Sequence, residues 1–186
     1  MTEFTKIKIV AIVGMPGAGK SKAADFFLAK GIPVLRFGDQ TDIGLKELGK
    51  EVNEVNERWY RESIRKELGM AAMAIKIEPR IREAAKTHTI IALDGLYSWE
   101  EYTYLIQKIP QLTILCIFAR PQLRYERLRR RKIRPLTPEE ARSRDFAEIE
   151  NLHKGGPIAI ADHLIKNETT LTDLTRELER FIAVAI

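Results

Sequence analysis

A chain of 186 residues, 45% hydrophobic and 31% charged, is long enough to bury a core and is expected to form a single domain, 1–186. No apolar run approaches the roughly 20 residues that cross a bilayer, and Met1–Lys6 is polar and leads straight into a strand-like run, so neither membrane anchor nor leader peptide is expected. The net charge of +5 is compatible with anionic partners, and a lone cysteine, Cys116 in an apolar run, reads as a small buried residue of a cytoplasmic protein.

Apart from Lys8, Ile7–Val13 is apolar and largely β-branched, as suits a strand buried on both faces. It runs into Gly14-Met15-Pro16-Gly17-Ala18-Gly19-Lys20-Ser21, which satisfies G-x-x-x-x-G-K-[ST] at every fixed position. Glycines at those places let successive N–H groups curl around phosphate oxygens, and the following helix adds its positive end. Lys20 is then placed to reach the β- and γ-phosphates, and the Ser21 hydroxyl to ligate Mg²⁺, with Lys22 also on the nucleotide side. Ala23/Phe27 and Ala24/Leu28 mark the helix, Gly31 stops it, and Pro33–Phe37 is a short second strand followed by Gly38-Asp39.

Leu45, Leu48, Val52, Val55 and Trp59 recur every three or four residues and predict one long amphipathic helix. Arg58, Arg61 and Arg65 form a stripe beside them. The stripe either grips an acceptor phosphate or forms an exposed face paired with Glu54, Glu57 and Glu62. A second helix, through Met70, Met73, Ala74, Ile77, Ile81 and Ala84, is expected to kink or split at Pro79. Thr89–Leu93 is a third strand ending in Asp94-Gly95, where Asp94 is either a turn residue or, with Ser21, the acid that holds Mg²⁺.

Tyr97–Gln107 reads as a helix and Leu112–Ala119 as a fourth strand. Pro121 then opens a helix in which eight of the fifteen residues from Arg120 to Arg134 are basic and only Glu126 is acidic. Thr137-Pro138-Glu139-Glu140 is a capping box. After Gly155-Gly156-Pro157, His163–Lys166 is a short fifth strand, and Thr170 with Asp173 opens a last helix through Leu171, Leu174, Leu178 and Phe181. Strands alternating with helices imply an α/β fold with a parallel sheet covered on both faces. His88, His153 and His163 have no metal-ligand spacing.

Gly14–Ser21, Gly38-Asp39 and Leu93-Asp94-Gly95 resemble the nucleoside monophosphate kinase superfamily, adenylate kinases in particular. The segment 161–167 and Thr170–Leu174 are similar to the end of dephospho-CoA kinases, and most of the chain resembles an archaeal-type group of adenylate-kinase-related proteins. The resemblance implies a five-stranded parallel sheet with a core of 1–40, 87–120 and 158–186, a helical acceptor-binding region at about 41–86 and a mobile helical lid at about 121–157. It also implies that Arg127 lies against the adenine ring and Arg131 near the phosphates, with Arg142 and Arg144 on the other arm of the lid. Asp39 sits where dephospho-CoA kinases place an acid that accepts a hydroxyl proton. The chain departs from adenylate kinases at two acceptor-side arginines, carrying Asp42 and Leu96-Tyr97-Ser98 instead, which counts against AMP.

These readings predict an ATP- and Mg²⁺-dependent P-loop kinase. Lys20, Asp39, Arg131 and Arg144 would be its catalytic groups, and Asp39, Arg58, Arg61, Arg65, Asp94 and Gly95 would face a small phosphate- or hydroxyl-bearing acceptor. The rival is a slow ATPase that switches a protein or RNA partner. Binding of nucleic acid by the arginine cluster is disfavoured because aromatic interleaving for base stacking is missing.

Overall fold

The computed structural model of this chain describes residues 7–185, so the reading of Met1–Lys6 lies outside the described residues. Strands β1 (Lys8–Val13), β2 (Val34–Arg36), β3 (Ile90–Asp94), β4 (Leu112–Phe118) and β5 (His163–Lys166) form one sheet in the order β2-β3-β1-β4-β5. Every pairing is parallel. The register sets Ile12 beside Asp94 and Val13 beside Cys116, so the carboxyl ends of β1, β3 and β4 lie together at one edge of the sheet.

The helices are α1 (Lys20–Ala29), α2 (Asp39–Glu47), α3 (Glu54–Leu68), α4 (Ala72–Ala85), α5 (Trp99–Lys108), α6 (Pro121–Arg129), α7 (Pro138–Glu150), α8 (Gly155–Ala159) and α9 (Leu171–Ala185). Because side chains alternate along a strand, β1 feeds two cores. Val10 and Ile12 pack under Ala23 and Phe27 of α1 and Leu174, Leu178 and Phe181 of α9. Ile9, Ala11 and Val13 pack on the opposite face with Ile64 of α3, Ile77 and Ile81 of α4, and Leu105 of α5. Cys116 is buried in that second core. The five-stranded, helix-flanked architecture is the one the alternation predicts.

Two local expectations are corrected. The single helix over Leu45–Trp59 is instead α2 and α3, broken at Gly49 with φ of 65° and restarted at Asn53, whose side chain accepts from the Asn56 N–H at 2.9 Å. Leu45 is buried, but Leu48, Val52, Val55 and Trp59 are exposed, and α3 turns Tyr60 and Ile64 inward instead. Local stop and start chemistry overrides the apparent period. Pro79 neither splits nor interrupts α4, because it sits on the exposed side, where water can satisfy the freed carbonyl. Gly155-Gly156-Pro157 forms most of the short helix α8, for which the sequence offered no signal. The capping boxes at Thr137–Glu140 and Thr170–Asp173 form, as does a third that the sequence reading passed over, Ser98–Glu101 at the start of α5.

Candidate functional site

The loop between β1 and α1 rests on backbone that only glycine tolerates. Gly14, Gly17 and Gly19 have φ of 140°, 80° and 111°. A Cβ on Gly17 would lie 2.7 Å from the Arg124 carbonyl oxygen, and one on Gly14 would strike the Ile117 carbonyl. Gly19 is the N-cap of α1 and no side chain caps it, so the first amides of α1 are left for a ligand in the adjoining cavity. Lys20 meanwhile folds back, its Nζ donating to Gly14 O at 2.8 Å and Met15 O at 3.3 Å. Burial, reinforced by Lys154, pulls the pKa of Lys20 down to about 7, against the opposing pull of Glu148 and Asp94.

A cavity of about 490 Å³ opens over this loop. Six cationic side chains line it (Lys20, Lys22, Arg127, Arg131, Arg144 and Lys154) against a single carboxylate, Asp94. Such an excess of fixed positive charge is what a polyphosphate needs and what a neutral ligand would leave uncompensated. Arg127 donates through Nη2 to Asn167 O at 2.9 Å, and Asn167 Nδ2 donates to Ala18 O at 2.8 Å, so α6 and the end of β5 clamp the glycine loop from outside. Arg131 lines the cavity, and its side chain makes no ion pair among the described residues. Arg144 Nε bonds Glu148 at 2.9 Å, while Arg142 lies over the Phe146 ring at 5.6 Å and is not among the lining residues.

Asp94 ends β3, with Arg36 Nε 3.9 Å away. Burial raises its pKa, opposed by Lys20 and Arg36. Ser21 and Asp94 both face the first cavity and offer the hard oxygen donors that Mg²⁺ takes. Among the described residues no group of three or more His, Cys, Asp or Glu could hold a metal ion. The donor set therefore fits a cation shared with phosphate oxygens rather than one caged by protein alone.

A second cavity of about 250 Å³ adjoins the first, and Tyr97 lines both. Its walls come from the end of β2 (Phe37), α2 (Thr41, Asp42), α3 (Glu57, Arg61, Arg65), α4 (Met73) and the β3–α5 connection with Glu101. The arginine stripe is thus divided. Arg61 and Arg65 reach the cavity; Arg58 does not, because it lies on the solvent side of α3, paired with Glu62 at 2.9 Å. Gly95 lines the second cavity. Asp39 lines neither: it opens α2, with Arg80 Nη2 at 3.5 Å.

Five contributors escaped the sequence reading. Lys154, with a side chain 3% exposed, is ion-paired to Glu148 and holds its Nζ 4.3 Å over the Tyr97 ring. It comes from the α7–α8 connection and carries no motif. Tyr97 itself registered only as a missing arginine. Arg124 was one basic residue among many, yet it is buried against Asp145 and donates to Pro16 O at 3.0 Å. Glu101 could have been found, since S-x-x-E before an apolar helix is legible. Tyr125, the aromatic residue within the arginine run, donates its hydroxyl to Asp145 at 2.9 Å.

No protein-family model matches the chain. Curated relatives do: a UPF0200 protein of Pyrococcus abyssi is 33% identical over 178 residues, covering 94% of this chain and 95% of its own. UPF0200 proteins of Thermococcus sibiricus and Sulfurisphaera tokodaii are each 34% identical, covering 92% and 95% of this chain and 92% and 96% of their own. Among solved structures, TT1252 from Thermus thermophilus superposes with a TM-score of 0.64 at 20% identity, covering 96% of this chain and 98% of its own. Shikimate kinase from Bacteroides thetaiotaomicron gives 0.60 at 13% identity over 95% and 99%, and a gluconokinase from Sinorhizobium meliloti gives 0.56 at 14% over 96% and 92%. At such identities the likeness is one of fold, and the fold is that of P-loop kinases.

Proposed function

The chain belongs to the UPF0200 family and has a P-loop kinase fold, and on that premise we propose that it is an ATP- and Mg²⁺-dependent phosphotransferase whose small acceptor occupies the second cavity. The observation that carries the reading is the pairing of two adjoining cavities of opposite character. One is ringed by six cations over a glycine loop, the other is smaller and mixes two arginines and three carboxyl groups with apolar and aromatic wall, and Tyr97 forms part of both.

The roles follow from position. The glycine-loop amides and Lys20 take the β- and γ-phosphates, and Lys20 exchanges its bonds to Gly14 O and Met15 O for phosphate oxygens. Ser21 and Asp94 hold Mg²⁺, which when bound neutralises charge on the β- and γ-phosphates. Arg131, Arg144 and Lys154 face the charge that spreads over the transferring group, and Arg127 braces the loop from the base side. Helices α6 and α7 act as the lid, excluding water when they close. Asp39 faces Arg80 rather than the ligand-lined walls, so its part as proton acceptor needs a movement of α2 on closure. No helix among the described residues is long and apolar enough to cross a membrane. The buried lone thiol fits a cytoplasmic enzyme.

The test is calorimetric titration with Mg²⁺·ATP together with ATP-consumption assays over small acceptors. Wild type should bind and turn over, while Lys20→Ala should fold and be silent. Full turnover in Lys20→Ala would defeat the assignment, and consumption stimulated only by a protein or RNA would favour a switch ATPase.

A further inference from the structure

The two cavities differ in charge. Around the first, six cations face one carboxylate. Around the second, two guanidinium groups, Arg61 and Arg65, face three carboxyl groups, Asp42, Glu57 and Glu101. Arg61 is already engaged, its Nη1 lying 3.3 Å from Glu57. Arg65 is the cation left over, and its Nε is buried with no hydrogen-bond partner. A buried donor left unsatisfied is costly, so a ligand atom that accepts from it is favoured.

Glu101 stands at the same wall. Its Oε2 accepts from the Tyr97 N–H at 2.8 Å and from the Ser98 N–H at 3.1 Å. Burial pushes its pKa up to about 7, with Arg65 pulling the other way, so near neutrality the carboxyl can donate as well as accept. The remainder of the wall is Thr41, two glycines and the apolar or aromatic side chains of Phe37, Met73 and Tyr97. The volume, about 250 Å³, falls below the range of roughly 300–1,000 Å³ typical of sites for drug-sized ligands.

A phosphate monoester is poorly served here. It brings up to two negative charges, and with Glu57 taken up by Arg61 the one uncommitted cation, Arg65, still shares the wall with Asp42 and Glu101. A neutral molecule with a flat apolar body and a hydrogen-bonding edge meets every feature: Arg65 as donor, Glu101 as donor or acceptor, and aromatic walls for the ring. Resting on the phosphotransferase reading, we propose that the acceptor is an uncharged ring-bearing alcohol of nucleoside type, phosphorylated on a hydroxyl, and not a phosphate monoester. In the transfer the hydroxyl oxygen bonds to the γ-phosphorus as the bond from that phosphorus to the β–γ bridging oxygen breaks. The electron pair leaves with the nucleoside diphosphate, and the hydroxyl proton passes to the Asp39 carboxylate, brought in by the movement of α2 on closure, and from there to solvent on opening.

The experiment uses the full chain loaded with Mg²⁺ and a non-hydrolysable ATP analogue, titrated calorimetrically with adenosine, cytidine, AMP and CMP. The nucleosides should bind at least about tenfold more tightly than their monophosphates, because like charges are juxtaposed only in the latter. Equal or tighter binding of the monophosphates overturns the inference, and so does absence of binding by all four at millimolar concentration. The double variant Asp42→Asn/Glu57→Gln frees Arg61 and removes two carboxylates. It should raise AMP affinity relative to adenosine by about tenfold; an unchanged ratio of the two affinities overturns the charge argument.

Phosphorus NMR with ATP separates this inference from the reading beneath it. A new monoester resonance with nucleosides supports both. Nucleoside binding without any ATP consumption overturns the kinase reading alone. ATP consumption driven by AMP or CMP, with diphosphate formed from each, overturns the acceptor class alone.

Discussion

Asp145→Asn is the most informative single substitution outside the phosphate cradle. Arg124 on α6 and Asp145 on α7 form a two-pronged pair at 2.8 and 2.6 Å, with side chains only 5% and 8% exposed. Arg124 also donates through Nε to Ala119 O and through Nη1 to Pro16 O, each at 3.0 Å. Exchanging the carboxylate for an amide keeps the shape and removes the charge, which leaves a buried guanidinium without its counter-ion. Breaking such a pair costs about 3–5 kcal/mol. The amide oxygen can still accept one bond, so the lower end, about 3 kcal/mol, is expected. Replacing both members with leucine removes the stranded charge and forfeits chiefly the two bonds to carbonyls, at about 1 kcal/mol each. The double variant should therefore be less damaged than the sum of the two single ones, with a coupling of about 2 kcal/mol. Urea unfolding of wild type, Arg124→Leu, Asp145→Leu and the double leucine variant, compared at constant m-value, measures the coupling, with Asp145→Asn measured beside them. A loss below about 1 kcal/mol for Asp145→Asn, or additive single effects, would refute the claim that this pair fastens α6 and α7 to the glycine loop.

Other expectations concern the lysines and the loop. Lys20 holds its proton to about pH 10.5 when unfolded but only to about 7 in the nucleotide-free fold, so the unfolded state binds more protons between those limits. Stability must therefore rise with pH through that window. Thermal melts at about pH 7.5 and 9.5 should show the rise, and Lys20→Met should reduce its slope without abolishing it, since burial lowers the Lys154 pKa in the same sense. Lys154→Met should weaken Mg²⁺·ATP binding by about tenfold or more while Lys154→Arg restores part of it; unchanged titration curves would make Lys154 purely structural. Gly17→Ala meets both an unfavourable φ of 80° and the Arg124 backbone at 2.7 Å. It is expected to cost at least about 1 kcal/mol in unfolding experiments and to lower nucleotide affinity.

The sequence by itself determined the sheet and the glycine loop. Both are written in local terms: β-branched runs with no polar phase for strands buried on two faces, and glycines where the backbone must turn with positive φ. The capping boxes at Thr137 and Thr170 located the starts of α7 and α9, because their partners are three positions apart. Period alone misled where such local chemistry intervened, as at Gly49 and Asn53, and it could not say which of Arg58, Arg61 and Arg65 turns toward a cavity. Only the tertiary structure decided that Lys154 sits beside Lys20, that Arg124 is spent on Asp145 rather than on ligand, and that the second cavity is poor in net positive charge. Those residues meet from elements far apart in the chain, and the sign of a cavity depends on which carboxylates share its wall, which no spacing along the sequence records.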